Sequence, residues 1–172
     1  MKKIGIFYGS STDNTTTAAE FIKDYLEMNG HLIDMYNIAD VDPEKILEYS
    51  NIIIGCPTWH IGELQEDWDS IFSSYEILDF NGKIAAFFGC GDQIGYPGNF
   101  LDAIGILAIP FVKNGGKLIG KCSIEAYQFT GSKALDNNDK LMGLGLDYDN
   151  DDEQTCEDMM IMWLEDIIED FK

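Results

Sequence analysis

The strongest constraint on the fold is an alternation of short runs rich in β-branched and aromatic residues with longer amphipathic stretches. The short runs predict strands at 3–8, 32–36, 52–56, 83–89 and 117–120. The longer stretches predict helices at 14–28, 42–49, 64–75, 100–114 and 153–170. Several strands lack polar alternation, which is typical of parallel strands covered on both faces. The pattern therefore predicts an α/β fold of three layers, with a five-stranded parallel sheet and helices on both faces.

One segment near the last predicted strand breaks this alternation. From about residue 122 to residue 145 the chain is rich in Gly, Asp and Asn and shows no helix pattern of ordinary length. We expect an insertion there. Because no repeat, linker or second core pattern is visible, residues 1–172 are expected to form a single domain.

The charge balance limits the possible partners. Acidic residues outnumber basic ones by 31 to 11, the formal net charge is −20, and arginine is absent. Nucleic acids and anionic lipid surfaces would be repelled, so we expect neither of them as a partner. A basic protein partner is favoured, and the charge also favours a monomer. Without guanidinium groups, a phosphate ligand would have to be held by backbone amides and hydroxyls.

The cysteines bear on the cellular compartment. They are widely spaced and form no CxxC pair, at Cys56, Cys90, Cys122 and Cys156. A chain of this length needs no disulfide framework, so we expect reduced thiols and a cytoplasmic or stromal location. The first apolar run is too short for a signal peptide, and we expect no transmembrane span and no metal site.

A small polar loop follows the first predicted strand and opens the first predicted helix. It consists of Ser10, Ser11, Thr12, Asp13, Asn14 and Thr15. Free N–H groups and the dipole at a helix N-terminus attract anions, so the loop is a candidate phosphate cradle. A single hydroxyl here could equally be an ordinary N-cap. The loop lacks the Lys and Gly of a P-loop.

Two aromatic residues lie in loops after neighbouring predicted strands. Trp59 follows the third strand, and Tyr96 lies in a glycine-rich loop after the fourth. Ligands of such sheets bind beyond the carboxyl ends of the strands. Each aromatic alone could be a core or rim residue, but together with a phosphate loop they favour a flat nucleotide held between two rings.

These segments together resemble a flavodoxin of the long-chain type, from residue 4 to nearly the C-terminus. The residues that carry the resemblance are Ile6-Phe7-Tyr8-Gly9-Ser10 with Thr15 and Ala19, Pro57-Thr58-Trp59, Gly91-Asp92-Gln93-Ile94-Gly95-Tyr96, Asn99-Phe100, Asp102-Ala103, and, in the insertion, Tyr127-Gln128-Phe129 and Ser132-Lys133-Ala134.

The resemblance implies one non-covalent FMN. Residues 10–15 would hold its phosphate, while Trp59 and Tyr96 would cover the two faces of the isoalloxazine ring. The residues implied to border the ring or the ribityl chain are Pro57, Thr58, His60, Ile61, Gly62, Cys90, Gly91, Asp92, Asn99, Phe100 and Asp102. Asp102 could instead simply serve the helix that follows it.

The phosphate loop departs from the family at Asp13, where flavodoxins normally have Gly. Asp tolerates a left-handed backbone better than most residues, so we expect the loop conformation to survive. Its carboxylate would repel the phosphate, and we expect FMN binding to be weaker than with Gly at this position.

The function implied by the resemblance is low-potential, one-electron transfer between redox proteins, including a basic flavodoxin/ferredoxin-NADP reductase. The resemblance also implies a peptide flip beside the flavin, which in this chain would occur at His60-Ile61. The alternative is an FMN-dependent oxidoreductase of the quinone-reductase type. A phosphoacceptor signalling module would need an acidic pocket with a Lys, and nucleophilic catalysis would need a triad; neither pattern is present at the strand ends.

Overall fold

The computed structural model describes all 172 residues. Its strands are β1 (Lys3–Tyr8), β2 (Leu32–Asn37), β3 (Asn51–Gly55), β4 (Thr58–Trp59), β5 (Glu63–Leu64), β6 (Ile84–Cys90), β7 (Lys117–Ile119), β8 (Cys122–Ser123), β9 (Lys140–Leu141) and β10 (Leu144–Leu146). Its α-helices are α1 (Asn14–Met28), α2 (Glu66–Tyr75), α3 (Asp102–Lys113) and α4 (Glu153–Ile168). None of these helices has the length and apolar character needed to cross a membrane.

The central sheet is parallel throughout. Its order is β10-β6-β3-β1-β2, and β7 also pairs with β6. Every one of these pairings is parallel, including β1 with β2 and β3 with β6. The predicted α/β fold with a parallel sheet and helices on both faces is confirmed.

Strand periodicity divides the core into two layers. In β3, Ile52 and Ile54 belong to the cluster on one face, whereas Ile53 belongs to the cluster on the other. The first cluster contains residues of α2 and α3, and the second contains residues of α1 and α4. Both faces of β3 are therefore buried, which explains why its sequence is continuously apolar.

The prediction of an α-helix at 42–49 is wrong. The structure has a 3₁₀ helix at Pro43–Glu48 instead. Only two residues separate this helix from β3, and an isolated stretch so short gains little from α-helical hydrogen bonds. Burial of Pro43 and Ile46 against the core fixes the tighter turn.

Two further predicted helices begin later than expected, for local reasons. The helix predicted at 64–75 starts at Glu66 because Leu64 pairs with Thr58 in the β4–β5 hairpin. The helix predicted at 100–114 starts at Asp102 because Leu101 takes a left-handed φ of 58°. The remaining differences in element bounds are one or two residues.

Where the sequence predicted one fifth strand, the structure has two strands that pair with the same edge of β6. β7 pairs with the first half of β6, from Ile84 to Ala86, and β10 pairs with its last half, from Phe88 to Cys90. The segment between β7 and β10 forms the β8–β9 hairpin and a 3₁₀ helix at Ile124–Ala126. The predicted insertion range of 122–145 thus includes the start of a sheet strand.

The residues of the predicted insertion pack against α3 and the loop before it. The rings of Phe100 and Phe129 stack with centroids 5.4 Å apart, and the Tyr127 hydroxyl lies 3.1 Å from the Gly145 carbonyl oxygen, to which it donates. A Cβ added to Gly105 of α3 would overlap the backbone carbonyl of Lys133. The insertion therefore sits as close to α3 as a glycine allows.

We expect Gly105→Ala to lower the free energy of unfolding by about 1–3 kcal/mol, because overlap with the Lys133 backbone outweighs the gain in helix propensity. Urea unfolding of the two proteins measures the difference. Gly98→Ala is the matched control, since a Cβ at Gly98 meets nothing within 4 Å and should change stability by less than about 0.5 kcal/mol. Equal stability of Gly105→Ala and wild type would contradict this account of the packing.

Candidate functional site

Four loops meet at the carboxyl edge of the sheet, after β1, β3, β6 and β10. They surround a cavity of about 490 Å³, a size typical of small-molecule sites. The cavity is lined by Thr12, Asn14, Pro57, Thr58, Trp59, His60, Cys90, Gly91, Asp92, Tyr96, Asn99, Phe100 and Asp149. The two aromatics predicted to sandwich a flat ligand, Trp59 and Tyr96, thus line one cavity.

The polar loop after β1 leads directly into α1. Asp13 takes the N-cap position with a left-handed φ of 66°, and its side chain caps nothing. The conformation expected for this Asp is therefore present. Because the first N–H groups of a helix have no partner within it, the start of α1 presents free donors beside Thr12 and Asn14 of the cavity wall.

Buried polar atoms without partners are confined to this site. In the whole chain, the buried side-chain nitrogen and oxygen atoms that lack a hydrogen bond are Ser10 Oγ, Thr15 Oγ1 and Trp59 Nε1. Such an atom costs about 1–3 kcal/mol when nothing satisfies it. Two of the three are hydroxyls of the predicted phosphate loop, so the residues present fit the phosphate of a nucleotide.

The phosphate loop is anchored to the start of α2. Gln65 is buried and donates from Nε2 to the Ser11 hydroxyl at 3.1 Å. Its Oε1 accepts from the backbone N–H of Asp67 at 3.2 Å, which caps α2. A side chain at Gly9 would collide with Gln65 and Trp68, so the loop lies flush against this helix.

The β4–β5 hairpin carries Trp59 at the cavity and turns at residues 60–62. His60 has a left-handed φ of 46° and Gly62 one of 80°, and Ile61 between them is 75% exposed. The Thr58 hydroxyl accepts from the Ala103 N–H at 3.1 Å. Thr58 thus supplies the cap that Leu101 does not provide for α3, and it fixes the hairpin to that helix.

The loop after β6 is shaped by Asp92. Its Oδ1 accepts from the backbone N–H groups of Ile94 at 3.0 Å and Gly95 at 2.6 Å. The bond from Gly95 is the main reason that the pKa of Asp92 lies below its usual range. This turn presents Tyr96, which is 55% exposed at the rim of the cavity.

Several residues predicted to border the cofactor do not line this cavity. They are Ser10, Ser11, Asp13, Thr15, Ile61, Gly62 and Asp102. Ser10 and Thr15 lie in its phosphate loop with buried hydroxyls, and Ser11 and Gly62 line a neighbouring cavity of about 840 Å³. Asp13 and Ile61 are exposed.

Asp102 is buried within the structure and does not reach the cavity. Its Oδ1 accepts from the Lys133 N–H at 2.7 Å, and its Oδ2 accepts from Asn99 Nδ2 at 3.0 Å. A side chain at Gly62 would overlap its carboxylate. Asp102 therefore joins the hairpin turn, the loop before α3 and the insertion, which is the structural role that the sequence left open.

The cavity lining includes the thiol of Cys90, which is buried, and the carboxylate of Asp149, which is exposed. Burial raises the pKa of Cys90 to about 12, so this predicted lining residue is a neutral thiol. Asp149 also lines the cavity but was missed. Asp149 lies in the loop that follows β10. Because β10 was not predicted from the sequence, no ligand-binding loop was expected there.

Comparison with known proteins gives a consistent result. The Flavodoxin family model matches residues 6–160. A flavodoxin of Nostoc sp. is 44% identical over 170 residues, which cover 99% of this chain and 98% of that protein. A flavodoxin of Synechocystis sp. is 48% identical over 156 residues, 90% of each protein.

A solved structure agrees with the fold. The Fusobacterium nucleatum flavodoxin, crystallised with flavin mononucleotide, superposes with a TM-score of 0.91 at 29% identity and covers 100% of both chains. With the family model matching most of the chain and the relatives covering nearly all of it, this chain belongs to the flavodoxin family.

Proposed function

We propose that this protein is a low-potential electron carrier that holds one FMN non-covalently in the cavity between Trp59 and Tyr96. The proposal rests on two features found together. The buried hydroxyls of Ser10 and Thr15 have no hydrogen-bond partner, and the cavity is lined by two aromatic rings. Bound FMN takes up and releases electrons one at a time. Flavodoxins are electron-transfer proteins, and this chain transfers electrons between redox proteins.

Residues 10–15 hold the phosphate without a positively charged side chain. The hydroxyls of Ser10 and Thr15 donate to phosphate oxygens together with the free N–H groups at the start of α1. The cavity lining contains no Lys, so binding of the phosphate depends on neutral donors. Binding removes the desolvation cost that these buried hydroxyls carry without a partner.

The aromatic pair and the overall charge set the redox behaviour. Trp59 and Tyr96 exclude water from the ring, while Asp92, Asp149 and the net charge of −20 surround it with negative potential. Both conditions disfavour added negative charge on the ring, so the potential of the second electron is low. The other predicted residues that line the cavity border the ring and the ribityl chain; they are Pro57, Thr58, His60, Cys90, Gly91, Asp92, Asn99 and Phe100.

The surface around the cavity suits a basic redox partner such as a flavodoxin/ferredoxin-NADP reductase. Ile61, Ile94 and Tyr96 are each more than half exposed and form an apolar rim. The lining of the neighbouring cavity includes the acids Glu63, Glu66 and Asp69, whose charge would attract a basic surface. We propose a monomer of one long-chain domain, residues 1–172, located in the cytoplasm with reduced thiols.

The protein has no catalytic reaction of its own in this proposal. An FMN-dependent oxidoreductase of the quinone-reductase type would need room for a substrate against one face of the flavin. With Trp59 and Tyr96 both at the cavity, the ring is covered on two sides, which does not favour that alternative.

The proposal is tested by titrating the purified protein with FMN. We expect binding of one FMN per chain, with quenching of flavin fluorescence, because stacking on Trp59 and Tyr96 is the main contact of the ring. Stepwise anaerobic reduction should then show two separate one-electron potentials. Failure to bind FMN, or steady NADPH oxidation by the protein alone, would overturn the carrier assignment.

Asp13 is expected to weaken FMN binding through its charge. Asp13→Asn removes the charge and retains a residue that tolerates the left-handed φ of 66°. Asp13→Gly removes the charge and also the backbone strain. We expect both variants to lower the Kd for FMN by about threefold to tenfold, and only the Gly variant to raise the free energy of unfolding, by about 1 kcal/mol.

Isothermal titration gives the two dissociation constants, and urea unfolding of the FMN-free proteins gives their stabilities. A Kd that is unchanged or higher in both variants would show that the carboxylate points away from the phosphate and costs nothing. Agreement of the Asn and Gly variants in Kd would assign the whole effect to charge.

His60 is expected to influence the two potentials through its backbone. A Cβ at this position restricts reorientation of the His60-Ile61 peptide beside the flavin, and Gly would relax that restriction. We expect His60→Gly to widen the separation of the two one-electron potentials, measured by spectroelectrochemistry. His60→Ala serves as the control, because it removes the imidazole and keeps the Cβ. A separation that is unchanged or narrower in the Gly variant would refute the idea.

A further inference from the structure

The two loops that follow β6 and β10 lie side by side at the cavity. Residues 91–96 present Asp92 and Tyr96 to it, and residues 147–152 present Asp149. The strands before them are paired, and the register continues as the Gly91 N–H donates to the Leu146 carbonyl at 3.0 Å. Beyond this point, hydrogen bonds that involve side chains join the two loops.

Asn150 is one of two residues that link them, the other being Asp147. Its Nδ2 donates to Asp92 Oδ1 at 2.9 Å in the loop after β6. The same nitrogen lies 3.0 Å and 2.9 Å from the two carboxylate oxygens of Asp147 in its own loop. One amide group thus stands between two carboxylates that would otherwise face each other, and its donors are shared between them.

The carboxylate of Asp147 also supports the 91–96 loop. Asp147 is only 1% exposed, and its Oδ2 accepts from the backbone N–H of Gln93 at 3.1 Å. The side chain of Gln93 then accepts from the backbone N–H of Gln128 in the insertion at 2.6 Å. The loop after β6 is therefore fixed from one side by the 147–152 loop and from the other by the insertion.

We propose that Asn150 is a positioning residue for the cofactor: by bridging Asp92 and Asp147, it holds the 91–96 loop so that Tyr96 lies against the flavin cavity. This inference rests on the proposed function, because it takes the cavity to be the FMN site. Asn150 does not itself line the cavity. It acts through Asp92, whose carboxylate also fixes the turn at Ile94 and Gly95.

A donor between the two carboxylates lowers their electrostatic cost. Neighbouring carboxylates repel each other, and hydrogen bonds from a group between them offset part of that repulsion. Asn150 supplies that group without adding charge. Without the Asn150 side chain, the buried carboxylate of Asp147 has fewer hydrogen-bond partners. The 91–96 loop, which contains Asp92, can then move away from Asp147.

The test compares Asn150→Ala with wild type and with Asn138→Ala, an exposed asparagine of the insertion whose side chain makes no hydrogen bond and lines neither cavity. Kd is measured for FMN and for riboflavin, which lacks the phosphate. We expect Asn150→Ala to weaken both ligands by a similar factor, on the order of tenfold, and Asn138→Ala to weaken neither.

A double-mutant cycle separates positioning from a general loss of structure. In the Tyr96→Ala background the effect of Asn150→Ala on both Kd values should shrink, because the residue through which it acts is gone. The visible circular dichroism of the protein saturated with FMN should change in Asn150→Ala and not in Asn138→Ala. Should Asn150→Ala fail to fold, Asn150→Leu, which nearly keeps the side-chain volume and removes the donors without adding charge, replaces it.

Three results would overturn the inference. The first is an unchanged Kd for both ligands in the Asn150 variant. The second is weakening of FMN alone, which would indicate an effect on the phosphate. The third is a loss of the same size with and without Tyr96, which would indicate a structural role independent of the ring. Failure of wild type to bind FMN would instead refute the proposed function, and riboflavin binding by wild type distinguishes the two failures.

Discussion

The parallel pairing of the sheet is the constraint on which the rest of the structure depends. Because β1, β3, β6 and β10 all run in one direction, their carboxyl ends and the loops that follow them lie at the same edge. Helices cover both faces, so the chain can open a cavity only at such an edge without exposing its core. The polar loop after β1 and the aromatic residues Trp59 and Tyr96 are brought together for this reason.

Side chains that make hydrogen bonds within the protein hold the loops of the site in place. Gln65 anchors the phosphate loop to α2, Thr58 caps α3 from the hairpin, and Asp102 joins three segments. The hydroxyls of Ser10 and Thr15, in contrast, are buried without partners. The supporting polar groups therefore have hydrogen-bond partners, whereas the two hydroxyls of the predicted phosphate loop have none.

Much of this arrangement could be predicted from particular residues. Apolar runs such as Ile52–Ile54 predicted covered parallel strands, and six polar residues at a helix start predicted the phosphate loop. The prediction of an α-helix at 42–49 was wrong. Proximity to β3 and burial of Ile46 favour a 3₁₀ helix there in spite of the helical pattern. Asp149 and β10 were missed because a strand of three residues, formed only by pairing with β6, leaves almost no periodicity in the sequence.

Local periodicity, residue type and composition were enough to predict the class of fold, the place of a polar loop that opens a helix, and the excess of negative charge. Tertiary structure decided which of the candidate residues line the cavity and which support it. Asp102 and Asn150 are polar residues of similar appearance in the sequence to Asp92 and Asn99, yet only the latter two reach the cavity. The difference arises from long-range packing, since hydrogen-bond partners 30 to 60 residues distant fix where each side chain lies.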